Sequence, residues 1–274
     1  MHYIKMHGAG NDFVLLDNRD GHIGAEDYAA LARQLCARRL SIGADGLMIV
    51  EPARAGGDIA MVFLNTDGSF GEMCGNGARC ICRYAHDHVL AGEEQRIETA
   101  AGLVTGRRLA ADRYRVRLND PSVIRPHVEL CLPERRLDCF YIELGRPGIP
   151  HAVLHWEGWD RLARRALFEL GAQIRSDRAF PRGANVTFWQ SAGRNRVKAI
   201  TFERGVEDFT LSCGTGAGST AAALRVLGHA DGAVTLDFPG GTLAVSLTET
   251  DGAVRDIYLT GPAVTVSEGE YIGT

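Results

Sequence analysis

Lysine is nearly absent from this chain: of its 30 basic residues only Lys5 and Lys198 are lysines, the rest being arginine. A pyridoxal phosphate enzyme needs a lysine for its Schiff base, and neither of the two lies in a recognisable setting for one. Long apolar runs are missing as well. None approaches the roughly 18 residues that cross a bilayer, and Met1-His2-Tyr3-Ile4-Lys5-Met6-His7-Gly8 carries no apolar core of a secretory signal. A soluble, cytoplasmic protein without a membrane partner is the expectation. There is no strongly basic patch and the net charge is -4, so nucleic acid is not an expected partner. The seven cysteines (36, 74, 80, 82, 131, 139 and 213) form no CxxC pair and no disulfide framework, which fits a reducing compartment.

What is present is a duplication. Met73-Cys74-Gly75-Asn76-Gly77-Ala78-Arg79 has a second copy in Ser212-Cys213-Gly214-Thr215-Gly216-Ala217-Gly218, an offset of 139 residues. Each copy follows a strand-like run that carries a polar residue, Phe63-Leu64-Asn65 or Thr201-Phe202-Glu203-Arg204. Each precedes, by 28 residues from its cysteine, a glycine that opens another such run, at Gly102 and Gly241. The chain reads as two halves of one design, each supplying one thiol. Halves packed face to face would set two thiols across one cleft.

Along the chain, Tyr3–Met6, Phe13–Asp17, Leu47–Val50 and Ile59–Asn65 read as strands, and Glu26–Arg38 as a helix. A helix is expected from Asn76 to about Leu90, with Cys80 and Cys82 packed rather than reactive, as at Cys36. Cys74, Cys80 and Cys82 lack metal-ligand spacing, so no metal site is expected. Asn119-Asp120-Pro121-Ser122 breaks the pattern and marks the domain boundary. The segment from Val123 to Arg136 is weakly patterned. Asp160–Leu170 reads as an amphipathic helix, and the run from Gly218 to Leu224 as a helix of small residues buried all round inside a curved sheet.

A cysteine followed by Gly-x-Gly at a helix start has a physical meaning. The first helical turn leaves N–H donors without intrahelical partners and carries partial positive charge. Glycines let an anion such as a carboxylate approach that backbone, and the same field lowers a thiol's pKa. Two thiols facing each other across one anion site could invert a carbon stereocentre, one removing a proton and the other supplying it. Their titrations would be coupled. Disulfide exchange usually employs CxxC, and a nucleophilic cysteine does not account for a symmetric second one.

At these residues the chain resembles the diaminopimelate epimerases. The resemblance rests on Lys5-Met6-His7-Gly8-Ala9-Gly10-Asn11-Asp12-Phe13, Gly43-Ala44-Asp45-Gly46, Asn65-Thr66-Asp67-Gly68-Ser69, Cys74-Gly75-Asn76-Gly77-Ala78-Arg79, Pro150-His151, Asn185-Val186, Glu203-Arg204-Gly205, Cys213-Gly214-Thr215-Gly216-Ala217 and Pro239-Gly240-Gly241. It covers essentially the whole chain. It implies that Cys74 and Cys213 form the acid/base pair, with His151 and Glu203 tuning the thiols. It implies further that Gly75, Asn76, Gly214 and Thr215 hold the reacting carboxylate, and that Asn11, Asn65, Asn185, Glu203 and Arg204 bind amino and carboxyl groups of the substrate. No cofactor is implied, and the amino acid diaminopimelate is the small-molecule partner.

The expected fold is α+β, with two pseudo-symmetric domains, each a curved, mostly antiparallel sheet around a central helix that starts at the catalytic cysteine. The first spans residues 1–118, with 262–274 returning to it by resemblance, and the second spans 119–261. A homodimer is implied by resemblance too. Two positions depart from the family pattern: many members carry Gln at Gly46 and Asn at Ile149, both at the substrate cleft. The alternatives are a racemase of another amino acid, such as histidine, on the same two thiols; an isomerase of the phenazine-biosynthesis type, which lacks paired cysteines; and a non-catalytic anion-binding or redox-sensing protein.

Overall fold

Strand His2–Gly8 buries every second residue, Ile4, Met6 and Gly8, as the period of two in an extended chain requires when one face meets a core. The computed structural model describes residues 1–71 and 73–273. Among these the α-helices are α1 (Tyr28–Leu35), α2 (Gly75–Asp87), α3 (Arg164–Arg175) and α4 (Gly214–Val226), set among many strands. The α+β class read from the sequence is observed. The chain divides into two compact units, residues 1–117 with 260–274, and residues 118–259.

In the first unit His2–Gly8 pairs antiparallel with Asn11–Asp17 and, on its other edge, with Val264–Glu270. The chain crosses through α1 to Gly46–Glu51, parallel to Asn11–Asp17, and turns back as Ile59–Asn65. It crosses again through α2 to Glu94–Thr99, parallel to Ile59–Asn65, and turns back as Gly102–Ala110.

The second unit repeats this order. Arg135–Leu144 pairs antiparallel with Ile149–His155, and α3 leads to the parallel strand Asn185–Gly193. Arg196–Glu203 turns back from it, α4 leads to the parallel strand Ala233–Phe238, and Gly241–Thr250 closes the hairpin. The sequence duplication is therefore a duplication of topology: hairpin, helical crossover, hairpin, cysteine-led crossover, hairpin.

The central helices differ in how they fit. In α4 the residues from Gly216 to Leu224 are all buried, and they are small, so the surrounding strands approach closely. A Cβ at Gly218 would come within 2.7 Å of Leu118 Cδ1. In α2 the buried set runs from Gly75 to Cys82 and on to Tyr84 and Ala85, and it includes Arg79. Cys36, Cys80 and Cys82 are buried, as the sequence reading held.

Four segments differ from the sequence reading, the first being the helix read over Glu26–Arg38, which is a 3-10 turn at Ala25–Asp27 followed by α1, ending at Leu35. Val123–Arg136, weakly patterned in the sequence and given no element there, is regular: Pro121–Leu132 is a 12-residue strand in a long hairpin with Arg135–Leu144. Most of its side chains are exposed or half-buried, and Leu130 alone is fully buried, so no hydrophobic alternation announces it. Pro121 opens the strand, a place where a missing N–H is tolerated. The helix expected over Asp160–Leu170 is a short 3-10 turn, Trp159–Arg161, followed by α3 at Arg164–Arg175. Gly171 lies inside α3, where a Cβ would sit 2.9 Å from the Phe202 ring. The helix opening at Cys74 ends at Asp87 rather than near Leu90.

Because α4 has no room on any side, Ala222→Leu is expected to lower stability by about 1–3 kcal/mol through overpacking. A reduced urea midpoint at unchanged slope is the readout, and an unchanged midpoint would mean the sheet around α4 is looser than described.

Candidate active site

Each conspicuous cysteine is the N-cap of its helix. Cys74 has φ -126 and ψ 115, and its Sγ accepts a hydrogen bond from the Gly77 N–H. Cys213 has φ -125 and ψ 117, and its Sγ accepts from the Gly216 N–H. The distances are 3.5 Å and 3.3 Å. In both helices the next N–H, of Ala78 or Ala217, goes to the cysteine's own carbonyl. Space at the third residue of each helix is short, severely at Gly216 and less so at Gly77. A Cβ at Gly216 would meet Thr201 Oγ1 at 2.8 Å and Cys213 Cβ at 3.1 Å, and one at Gly77 would meet Met48 Sδ at 3.1 Å.

In the first unit Cys74 is half-buried and its Sγ donates to Asn11 Oδ1 at 3.6 Å. Asn76 Nδ2 donates to the same oxygen at 3.2 Å, and Asn11 Nδ2 donates to Asp45 Oδ2 at 2.9 Å. Beneath Asn76 lies Arg79, fully buried, donating to Asn76 Oδ1 at 2.8 Å and to the Gly75 and Pro262 carbonyls at 3.3 Å each. Burial lowers the Arg79 pKa to about 10, so it remains a cation at neutral pH. Asn65, exposed, donates through Nδ2 to Ser69 Oγ at 2.9 Å, and in the strand ladder it stands opposite Gly46.

The second unit joins its candidates into one group. His151 pairs in register with Asn185 on the neighbouring parallel strand, and Val186 pairs with Phe202, next to Glu203. His151 Nε2 lies 3.0 Å from Thr215 Oγ1, which lies 3.5 Å from Cys213 Sγ. Asn185 Nδ2 reaches His151 Nε2 at 3.4 Å, while its Oδ1 accepts the Arg204 backbone N–H at 2.8 Å. Glu203 Oε1 accepts from Thr210 Oγ1 at 2.5 Å. Burial pushes the Cys213 pKa well up and the nearby Glu203 carboxylate adds to this, against the Thr215 hydroxyl and the Gly216 N–H. Burial pushes His151 down to about 3, helped by the Arg204 charge.

The structure thus brings Asn11, Cys74, Gly75 and Asn76 together in one unit, and His151, Asn185, Glu203, Cys213, Gly214 and Thr215 in the other. It sets two residues apart. Asn65 makes its side-chain bond to Ser69, and the Arg204 guanidinium is turned to the Arg182 carbonyl at 2.9 Å. Three residues carried no role in the sequence reading: Arg79 and Asp45, which lie in the matched motifs, and Arg38, which bridges Asp12 and Asp45. The signal for Arg79 was in the repeat itself, since a buried-helix position that is Gly218 in one copy is arginine in the other.

Gly46 has a steric cause. A Cβ there would come 2.6 Å from the Phe63 ring and 2.9 Å from the Leu64 carbonyl oxygen. The same ring closes on Gly71, and it meets Phe13 edge-on at 6.1 Å. Phe63 fills the space that a side chain at position 46 would take.

Among the described residues no group of three or more His, Cys, Asp or Glu side chains is placed to hold a metal ion. No helix among them is long and apolar enough to cross a membrane.

Comparison with known proteins gives concordant results. The family profile described as diaminopimelate epimerase matches residues 3–121 and 146–266. A diaminopimelate epimerase of Carboxydothermus hydrogenoformans is 35% identical, with 99% of both chains covered. One of Methanocella arvoryzae is 38% identical, covering 98% of this chain and 95% of that protein. Among solved structures, a phenazine biosynthesis protein of the PhzF family from Bacillus anthracis superposes with a TM-score of 0.76 at 15% identity, covering 99% of each chain. A probable proline racemase from Agrobacterium radiobacter gives 0.73 at 20% identity, covering 98% of this chain and 92% of that one. At such identities the two structures speak for the fold alone.

Two predictions follow from the geometry. Gly46→Gln is expected to cost about 1–3 kcal/mol from overpacking. Combined with Phe63→Ala it should show favourable coupling in a double-mutant cycle of urea midpoints, whereas strict additivity would leave Phe63 out of the account. The second concerns His151. Between its ordinary value of 6.5 and about 3, the unfolded chain takes up a proton that the folded unit refuses. Its contribution is intact above that window and is lost as pH falls through it. The fall in urea midpoint between pH 7 and pH 4.5 should therefore be smaller in His151→Gln than in the unaltered chain; equal falls would mean that the imidazole is protonated in place.

Proposed function

The chain belongs to the diaminopimelate epimerase family, and from that premise we propose that Cys74 and Cys213 are the two bases of an epimerase that interconverts LL- and meso-2,6-diaminopimelate. One observation supports this above the others: the two thiols cap two helices with the same backbone geometry and the same N–H partner position. A helix N-terminus that donates to sulfur stabilises the thiolate, so each site can take up or release a proton. The relatives at 35% and 38% identity carry the same name over nearly full length, and the racemase, phenazine-type and non-catalytic alternatives are not favoured.

The reaction needs a thiolate on one face of the α-carbon and a thiol on the other. The thiolate removes the α-proton, the thiol delivers its own to the opposite face, and the two have exchanged protonation states when product leaves. Which one begins as base depends on the direction of reaction. The α-carboxylate belongs at the helix-start N–H groups of Gly75, Asn76, Gly214 and Thr215, where the field opposes the negative charge that grows as the carbon acid ionises.

Glu203 takes the α-ammonium. Its carboxylate adds to burial in holding the Cys213 thiol up, and a substrate cation beside it offsets that effect, so binding itself eases Cys213 toward ionisation. His151, neutral at working pH, acts on Cys213 through the Thr215 hydroxyl. Asn11, Asn65, Asn185 and Arg204 serve the remaining amino and carboxyl groups. For Arg204 this requires its side chain to leave the Arg182 carbonyl. The thiols supply the proton chemistry without a cofactor. The same reading places the enzyme in the cytoplasm as a homodimer.

The test is proton NMR of the purified protein with LL-diaminopimelate in deuterated water. One deuterium at an α-carbon together with the meso isomer is expected, and Cys74→Ser and Cys213→Ser should each slow turnover by about 10²–10⁴-fold. Exchange into a different amino acid would overturn the substrate. No exchange into any amino acid, with both thiols titrated as reduced, would overturn the enzyme.

A further inference from the structure

The polar side chains around Cys74 form a chain whose hydrogen-bond directions are set from both ends. At one end Arg79 Nη2 donates to Asn76 Oδ1 at 2.8 Å. A guanidinium cannot accept, so the Asn76 amide has one orientation and its Nδ2 donates onward to Asn11 Oδ1 at 3.2 Å. At the other end Arg38 Nη2 donates to Asp45 Oδ1 at 2.8 Å. A carboxylate only accepts, and Asp45 Oδ2 takes Asn11 Nδ2 at 2.9 Å and the Asp12 N–H at 3.1 Å. Asn11 is thus held from both sides, its NH₂ committed to Asp45 and its oxygen facing Asn76.

That oxygen also faces Cys74 Sγ, at 3.6 Å. A carbonyl oxygen complements an S–H and repels a thiolate, whereas the NH₂ of a turned amide would do the reverse. We propose that Asp45, anchored by Arg38, is a positioning residue that fixes Asn11 as an acceptor toward Cys74, so that Cys74 rests as the thiol until substrate arrives. Asp45 touches neither the thiol nor, on this reading, the substrate; it acts through the Asn11 amide. The inference rests on the acid/base role of Cys74 for its importance, but not for its test.

Other charges face this corner of the unit. Among the described residues they include Arg79 on the helix, Lys5 and Asp12 on the first two strands, and Arg38 and Asp45 from the loop between α1 and the next strand; the titratable groups beside them include Cys80 on the helix, Cys36 at the end of α1 and His7 on the first strand. Lys5 and Arg38 both pair with Asp12, and that pairing is independent of the Asn11 amide. Removing Asp45 changes charge as well as polarity, so the test must separate the two.

In Asp45→Asn the Arg38 donor retains the oxygen of the new amide, whose NH₂ then opposes the Asn11 NH₂. Asn11 cannot simply turn over, since its NH₂ would then meet Asn76 Nδ2; without its acceptor at Asp45 the amide shifts, and its oxygen leaves Cys74 Sγ. The experiment follows iodoacetamide alkylation of Cys74 in the full chain against pH, with the Cys74 peptide quantified by mass spectrometry. The midpoint of the rate profile is expected to fall by about one pH unit. It should fall equally in 1 M salt, where the screening length is about 3 Å. Asn11→Ala, which removes the acceptor without changing charge, should move the midpoint in the same direction. An unmoved midpoint in either variant would overturn the proposal, and so would a shift in Asp45→Asn that vanishes in high salt, since that would be charge alone. Alkylation reports on the thiol whether or not the protein turns over diaminopimelate, so failure here is distinct from failure of the proposed reaction.

Discussion

Both halves of the chain depend on a thiol standing where a helix cap ordinarily has an oxygen. Ser, Thr, Asp and Asn are the usual N-caps because a side-chain oxygen reaches the N–H two or three residues on. Cys74 and Cys213 do the same with sulfur, taking the Gly77 and Gly216 N–H groups. One bond then serves two ends: it satisfies a donor that the helix cannot, and it lays the thiol against the positive end of the helix. The Gly-x-Gly that follows is a consequence, since a side chain at Gly216 would press on the cysteine and on Thr201. The strands beside each helix leave it no other path, because α4 is buried from Gly216 to Leu224.

The shared cap does not make the two halves equal. In the ladder of the second unit the row of residues beside the thiol is His151, Asn185 and, next to Phe202, Glu203; the matching row in the first unit is Phe13, Gly46 and Asn65. Polar chemistry in the second unit comes from that row, and in the first it comes from strand and loop ends, through Asn11 and Asp45. Cys213 is buried beside a carboxylate and a hydroxyl that can donate or accept. Cys74 is half-buried beside an amide oxygen that can only accept. A two-base reaction needs its bases in different protonation states, and unequal surroundings on equal helices are a way to provide them.

What the sequence made legible follows from where the physical signal was local. The duplicated Cys-Gly-x-Gly-Ala placed both caps, both helix starts and the α+β class, because a cap and its helix lie within a few residues of each other. The run of small residues after Gly216 announced a helix buried all round. The long hairpin from Pro121 was not legible, because its strand is mostly exposed and is held by backbone pairing to Arg135–Leu144. The end of α3 was not legible either, because Gly171 sits inside the helix and serves close packing on Phe202. Nor could sequence alone join Arg38, Asp45 and Asn11, which meet only because Gly46–Glu51 lies parallel to Asn11–Asp17.

Arg79 shows how far such support extends. A buried guanidinium is costly unless its donors are used, and here they reach Asn76, the Gly75 carbonyl and the Pro262 carbonyl. Two of these partners belong to the first turn of α2, and the third lies in the segment that returns to this unit from the far end of the chain. The neighbouring Arg83 reinforces the tie by donating to the Ala263 carbonyl at 2.9 Å. The returning segment therefore does more than add the edge strand Val264–Glu270. It supplies carbonyl acceptors without which a buried cation under the thiol loop would be short of partners, and so it helps hold the helix start on which Cys74 depends.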